Sequence, residues 1–360
     1  MKKRLWLIAP AVVGVLGLAA AVIGLVPIKA SSGHFEVTEQ LLQFFKHRSV
    51  AFGSGEVELP PLDAGWLVLK GAGHYEIGCR PCHGSPGFPP PPVATAMLPP
   101  PPGLADRVRY YSPRELFYVV KHGIKFTGMP AWPALNRDDE VAAVVAFLAK
   151  WPELDREGYA ALVYGEQGES GTAAAPIEEL SGKVEAGVVV SSCARCHGLD
   201  GLARGSPAFP VLAGQKVEYL AESLKAYLEG RRHSGIMQPI AAGLDAQKLR
   251  EAAEHYAKLP RARKRAPVDE EAVRRGADIA THGVPADRVP ACGACHDPSR
   301  ETNGVYPRLD GQWAEYLVLQ LELFSGQGRG GTAWWQLMDR AVHRLTPEQM
   351  SDVAAFYAAQ

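Results

Sequence analysis

Apolar positions recur at helical spacing along most of the chain, and no stretch alternates with the period of two that a half-buried strand requires. Lys2, Lys3 and Arg4 precede an uncharged apolar run from Leu5 to Val26. As a helix, such a run is long enough for the roughly 30 Å hydrocarbon core of a bilayer, and the basic end would stay inside while the rest is exported. A cleaved signal segment ending near Ala30 competes with this reading, but its apolar region is usually only about 7–15 residues long. The pattern therefore predicts a transmembrane anchor over residues 1–30. Residues 31–63 read as a connector with a helix capped by Thr38 and running to Ser49. Its Leu41, Leu42, Phe44 and Phe45, next to Lys46, His47 and Arg48, suit either a membrane interface or a face packed on the next unit.

Two stretches without helical patterning divide the remainder. Residues 153–178 include a run rich in Gly, Glu, Ser, Thr and Ala from Gly165 to Ala175, and residues 261–267 carry Arg261, Arg263, Lys264 and Arg265. Both read as linkers, leaving units over 64–152, 179–260 and 268–360. In the first, Ser112-Pro113-Arg114-Glu115 is a capping box with proline at the first helical position, and Asn136 is expected to cap the last helix, through Trp151. The second and third units repeat each other. Pro210-Val-Leu-Ala-Gly-Gln215 matches Pro307-Arg-Leu-Asp-Gly-Gln312 at an offset of 97 residues, whereas Met237, Leu244 and Tyr256 match Met338, Leu345 and Tyr357 at 101. The change of offset marks a four-residue insertion near Gly330 to Ala333, in a loop where added length costs little. The fold class is all-α.

Composition adds a bound. The chain has 360 residues, of which 47% are apolar and 21% charged, and a net charge of -1, values of a globular protein without the basic footprint of nucleic-acid binding. The cysteines are decisive. All six fall in the pairs Cys79/Cys82, Cys193/Cys196 and Cys292/Cys295, and each pair is followed at once by His83, His197 or His296. This is the pattern of c-type haem attachment: two thiols form thioethers to the vinyl groups, and a histidine on the same helical turn reaches the iron. A zinc pair or redox dithiol would not need that histidine three times. Three covalently bound haem c groups are expected, each supplying apolar core to a unit small for independent stability.

A thioether opposite histidine favours electron transfer. Met129, Met237 and Met338 follow their histidines by 46, 40 and 42 residues and are the expected sixth ligands. Met97 competes with Met129, Met350 falls within the last helix, and His233 or His343 would give bis-histidine ligation. The carbonyls of Pro210, Pro307 and one residue of Pro99 to Pro102 are expected to orient the ligating imidazoles. Gly71, Gly187 and Gly276 are expected where the leading helices cross terminal helices carrying Phe147, Tyr256 and Tyr357.

On these motifs each unit resembles a class I cytochrome c domain. Units two and three resemble the tandem domains of diheme bacterial cytochromes, through Cys193-Ala-Arg-Cys-His197, Cys292-Gly-Ala-Cys-His296 and the Pro-x-Leu-x-Gly-Gln stretches. Unit one, with Cys79-Arg-Pro-Cys-His83 and Gly128-Met129-Pro130, resembles oxidase-associated single-haem domains. Asp297 stands where the usual pattern has glycine. The resemblance implies three tandem class I domains; the basic and apolar N-terminal segment would place them in the periplasm, held at a bacterial inner membrane. The resemblance also implies an electron carrier with no catalytic residues, working between a quinol-oxidising complex or dehydrogenase and a terminal oxidase or soluble cytochrome. The alternative is the cytochrome subunit of an alcohol or sugar-acid dehydrogenase; a haem enzyme in its own right would need an open iron position.

Overall fold

The computed structural model describes residues 2–25, 29–165, 187, 189–261, 269–297 and 303–360. The described residues form helices and turns with no strand, only two isolated bridges. The Gly165 to Ala175 linker, apart from Gly165 itself, and the basic linker beyond Arg261 lie outside them.

Helix α1 spans Lys2–Val22, and among the described residues no helix is long and apolar enough to cross a membrane. This overturns the single-pass anchor over residues 1–30 and the inner-membrane attachment that rested on it. The apolar run does not stay helical to its end: the helix contains Pro10 and stops at Val22, and Gly24 turns to φ 79°.

Helix α2, Glu36–Gly53, starts before Thr38 and has Phe35 at its N-cap without a side-chain hydrogen bond. Its basic end packs on the first unit. His47 lies 5.6 and 6.1 Å from the rings of Tyr110 and Tyr111, and a Cβ on Gly53 would meet the Tyr118 ring.

The first unit is built on α3, Gly65–Gly78, crossed by α5, Asp138–Lys150, with α4, Pro113–His122, beside it. The capping box at Ser112 is formed, both Ser112 and Glu115 taking part. Asn136 caps nothing. The N-cap of α5 is Arg137, and the Asn136 amide reaches His233 in the second unit instead. At the crossing, a Cβ on Gly71 would lie 1.9 Å from the Ala143 carbonyl oxygen and 2.8 Å from Phe147, so only glycine lets the two backbones meet. Gly71→Ala should therefore lower stability by about 1–3 kcal/mol through overpacking, read as a lower denaturant midpoint of the holoprotein. An unchanged midpoint would mean the helices can separate at no cost. Within the stretch expected to begin a linker, helix α6, Arg156–Tyr164, buries Tyr159 and Val163 in this same core.

In the second unit α7, Val217–Leu228, packs on α9, Ala246–Lys258, with the short α8, Met237–Ala242, between them in sequence. Gly187 is not helical and meets nothing within 4 Å; a π-helical turn, Val189–Cys193, leads to the motif instead. In the third unit α10, Glu270–His282, crosses α13, Pro347–Ala358. A Cβ on Gly276 would lie 2.0 Å from the Asp352 carbonyl oxygen and 2.9 Å from Phe356, so the side chain at that crossing is Phe356 while Tyr357 is buried elsewhere in the core. Helices α11, Ala314–Ser325, and α12, Trp335–Val342, complete it.

The units dock through polar caps as well as apolar surface. The Arg204 guanidinium of unit two donates to the carbonyls of Ala161, Leu162 and Val163, in the last turn of α6, where carbonyls lack partners further along the helix; the Ala161 carbonyl also accepts from the Gly165 N–H. Between units two and three the bonds are reciprocal. Gln312 Oε1 accepts from the Val211 N–H at 2.9 Å and its Nε2 donates to the Val211 carbonyl at 3.1 Å. Gln215, at the matching repeat position, does the same to the N–H and carbonyl of Arg308, both at 2.9 Å.

Candidate haem sites

Each Cys-x-x-Cys-His stretch ends in one helical turn, Arg80–His83, Ala194–His197 or Gly293–His296. The turn forms because the histidine N–H donates to the carbonyl of the first cysteine in the first and third stretches, at 2.9 and 3.0 Å. The thiols form no disulfide. Burial pushes Cys79 and Cys193 up to about 12 and Cys292 up to about 11, the opposite of the depressed thiol a redox dithiol needs. Among the described residues no three His, Cys, Asp or Glu side chains are grouped to hold a bare metal ion.

Behind each imidazole stands a proline carbonyl. His83 Nδ1 lies 3.4 Å from the oxygen of Pro102, His197 Nδ1 3.2 Å from that of Pro210 and His296 Nδ1 2.8 Å from that of Pro307. A carbonyl can only accept, so Nδ1 carries the proton and Nε2 keeps its lone pair. Burial pushes His197 down to about 4 and also lowers His83 and His296, against the opposing pull of the carbonyls. All three are thereby held neutral, the form that ligates a metal. Tyr75 and Tyr256 donate to the carbonyls of Gly84 and Gly198, the residues after His83 and His197, at 2.7 and 3.0 Å. Tyr256 was legible as a packing residue of a terminal helix; Tyr75, in α3, was not, and neither were the bonds of the two to these turns.

The second and third motifs, with Met237 and Met338, line one cavity of about 530 Å³. Arg232 and Arg329, matching repeat positions only 6% and 9% exposed, also line it. Each guanidinium lies 4.6 Å over a ring, Tyr227 for Arg232 and Phe324 for Arg329. Arg329 Nε is buried without a partner. A largely apolar chamber with paired thiols, neutral imidazoles and an unsatisfied guanidinium N–H fits a flat apolar group that carries carboxylates. Cys79, Cys82, His83 and Met129 lie outside this chamber. Near Met129, the Met97 methyl sits where a Cβ on Gly128 would come within 2.0 Å of it, so the structure brings both rival methionines of unit one together. Met350 is 5% exposed in its helix core. His343 is exposed, and His233, also exposed, has Nδ1 3.1 Å from the Asn136 amide.

The chain is 33% identical over 175 residues to cytochrome c-552 of Acidithiobacillus ferridurans, covering 48% of this chain and 74% of that protein. The chain belongs to the c-type cytochromes. The thiosulfate dehydrogenase electron acceptor of Thiomonas intermedia is 33% identical over 172 residues, covering 47% of this chain and 79% of that one. Cytochrome c4 of Pseudomonas aeruginosa is 30% identical over 192 residues, 52% of this chain and 92% of that protein. The family model described as "Cytochrome C oxidase, cbb3-type, subunit III" matches residues 67–148. This c-type cytochrome is an electron-transfer protein with three covalently bound haem c, one for each cysteine pair.

Proposed function

We propose that the chain carries electrons through three tandem class I cytochrome c domains over residues 64–152, 179–260 and 268–360. Cys79, Cys82, Cys193, Cys196, Cys292 and Cys295 form the thioethers. His83, His197 and His296 would hold the irons through Nε2, with Met129, Met237 and Met338 as the second protein ligands. One-electron exchange at iron is the chemistry haem c supplies when bound.

The observation that carries this reading is the thrice-repeated imidazole with Nδ1 on a proline carbonyl. That bond fixes ring orientation and makes Nε2 a better donor. The methionine thioethers favour the reduced state, and the helix crossings at Gly71 and Gly276 keep water from the apolar faces. The reciprocal glutamines hold the second and third sites in one mutual orientation, so no rearrangement is needed between them.

The relatives support a dehydrogenase as electron donor, in particular a thiosulfate-oxidising one, because one relative is named as the electron acceptor of thiosulfate dehydrogenase. The match of residues 67–148 to an oxidase subunit supports a terminal oxidase, reached directly or through a soluble cytochrome, as acceptor of the first domain's electrons. Mixing the oxidised holoprotein with thiosulfate dehydrogenase and thiosulfate should reduce all three haems within the enzyme's turnover time. Reduction by a quinol-oxidising complex or an alcohol dehydrogenase, with none by thiosulfate dehydrogenase, would overturn the choice of donor.

A further inference from the structure

The Glu140 carboxylate is buried between the first and second units, where it accepts three hydrogen bonds and pairs with one guanidinium. Oε1 accepts from the Ser234 hydroxyl at 2.6 Å and lies 3.2 Å from the Arg137 guanidinium, an ion pair. Oε2 takes the Trp132 indole N–H at 3.0 Å and the Gly235 backbone N–H at 2.6 Å. Two of these donors belong to the loop that ends in Met237, and Trp132 closes the loop that carries Met129.

The contacts continue toward both methionines. Ser234 Oγ, while donating to Glu140, accepts from the backbone N–H of Met237 at 3.0 Å and that of Ile236 at 3.3 Å. Arg137 donates to the His233 carbonyl at 2.9 Å. On the other side the Trp132 backbone N–H donates to the Lys121 carbonyl, and the Met129 carbonyl accepts from the Ile124 N–H. The two loops also touch, since a Cβ on Gly235 would lie 2.3 Å from the Trp132 indole nitrogen. Arg137 is held in turn by Asp139, which also pairs with Lys70 at 2.8 Å. Burial alone would raise the Asp139 carboxyl, but Lys70 and Arg137 reverse this and hold it well below the usual carboxylate range.

We propose that Glu140 is a positioning residue shared by two haem sites, its carboxylate fixing at once the loop that presents Met129 and the loop that presents Met237. The inference rests on the reading that these two methionines are iron ligands. A carboxylate can only accept, and this one takes its donors from both ligand loops; through Ser234 it is one hydrogen bond removed from the Met237 backbone. Buried networks of this kind transmit the loss of a single member to the rest.

The test uses the full-length holoprotein, with potentiometric titration of the three haems and carbon monoxide as the probe of a displaced ligand. Glu140→Ala removes both acceptor oxygens, so donors on both loops are released. Two of the three potentials should move and two haems should gain carbon monoxide binding, while the third keeps its wild-type behaviour. Ser234→Ala should move only the potential that Met237→Ala moves, and Trp132→Phe only the one that Met129→Ala moves. These milder changes keep the inference testable should Glu140→Ala fail to fold. If the methionine variants shift their potentials but Glu140→Ala, or the Ser234→Ala and Trp132→Phe pair, leaves them unmoved, the shared role is wrong. If Met129→Ala and Met237→Ala themselves change nothing, the ligand reading fails with it.

Discussion

Replacing Cys193 and Cys196 together by alanine should yield a chain with two haems in place of three. The chain has six cysteines, all in the three pairs, so no spare thiol can rescue attachment. The loss should reach beyond the count. Among the described residues the motif sits between two small buried clusters: Val189, Leu220, Ala252, Ala253 and Tyr256, with Cys193 at the edge, and Ala203, Ala208, Phe209, Val211 and Ala213, with Cys196 at the edge. Such a core is too small to stabilise a unit of this size without the apolar area of the porphyrin. Chemical denaturation should show the second unit melting first, and because Gln215 and Gln312 tie it to its neighbour, the third should lose stability with it. A pyridine haemochrome assay still giving three haems would show that this cysteine pair attaches none.

Met237→Ala should leave three haems attached but alter one iron. The residue begins helix α8, with its N–H held by Ser234, and its side chain lines the chamber shared by the second and third motifs. Alanine in its place removes a thioether that favours ferrous iron, so one of the three potentials should fall and that haem should gain carbon monoxide binding. The helix should survive, because alanine is the best helix former. Unchanged potentials without new carbon monoxide binding would point to another ligand. His233 would be the nearest candidate in sequence, although its Nδ1 is engaged by Asn136.

The parts of this fold legible in the sequence were those written in residues close together or in exact repeats. The haem turns, the capping box at Ser112, the proline carbonyls behind the histidines and the crossings at Gly71 and Gly276 all follow from local chemistry or from glycine's missing side chain. The anchor reading erred because apolar composition from Leu5 to Val26 fixes neither where a helix stops nor how Gly24 turns. Asn136 was assigned a cap from its residue type alone, yet a partner 97 positions away in the chain claims its amide. Glu140 was invisible for the same reason: an acidic residue in the first turn of a helix reads as a solvated complement to the helix dipole, and nothing local announces that Trp132, Ser234 and Gly235 converge on it. The helix Arg156–Tyr164 was hidden by its place beside a polar, glycine-rich stretch.

The reciprocal glutamines have a consequence for descent. Gln215 and Gln312 each complete the backbone of the other repeat, so a copy of either domain excised alone would expose an amide built for a neighbour and strip its own loop of two bonds. Within the docked pair, losing one glutamine leaves the opposite loop's N–H and carbonyl without partners, which costs more than the bonds return. After a duplication that produced such an embrace, neither half could drift at these positions independently: a change in one glutamine is tolerated only if the opposite loop changes too. The heritable module is therefore the pair, and recombination that adds or removes domains in this chain should cut on the outer sides of the two repeats, never between them.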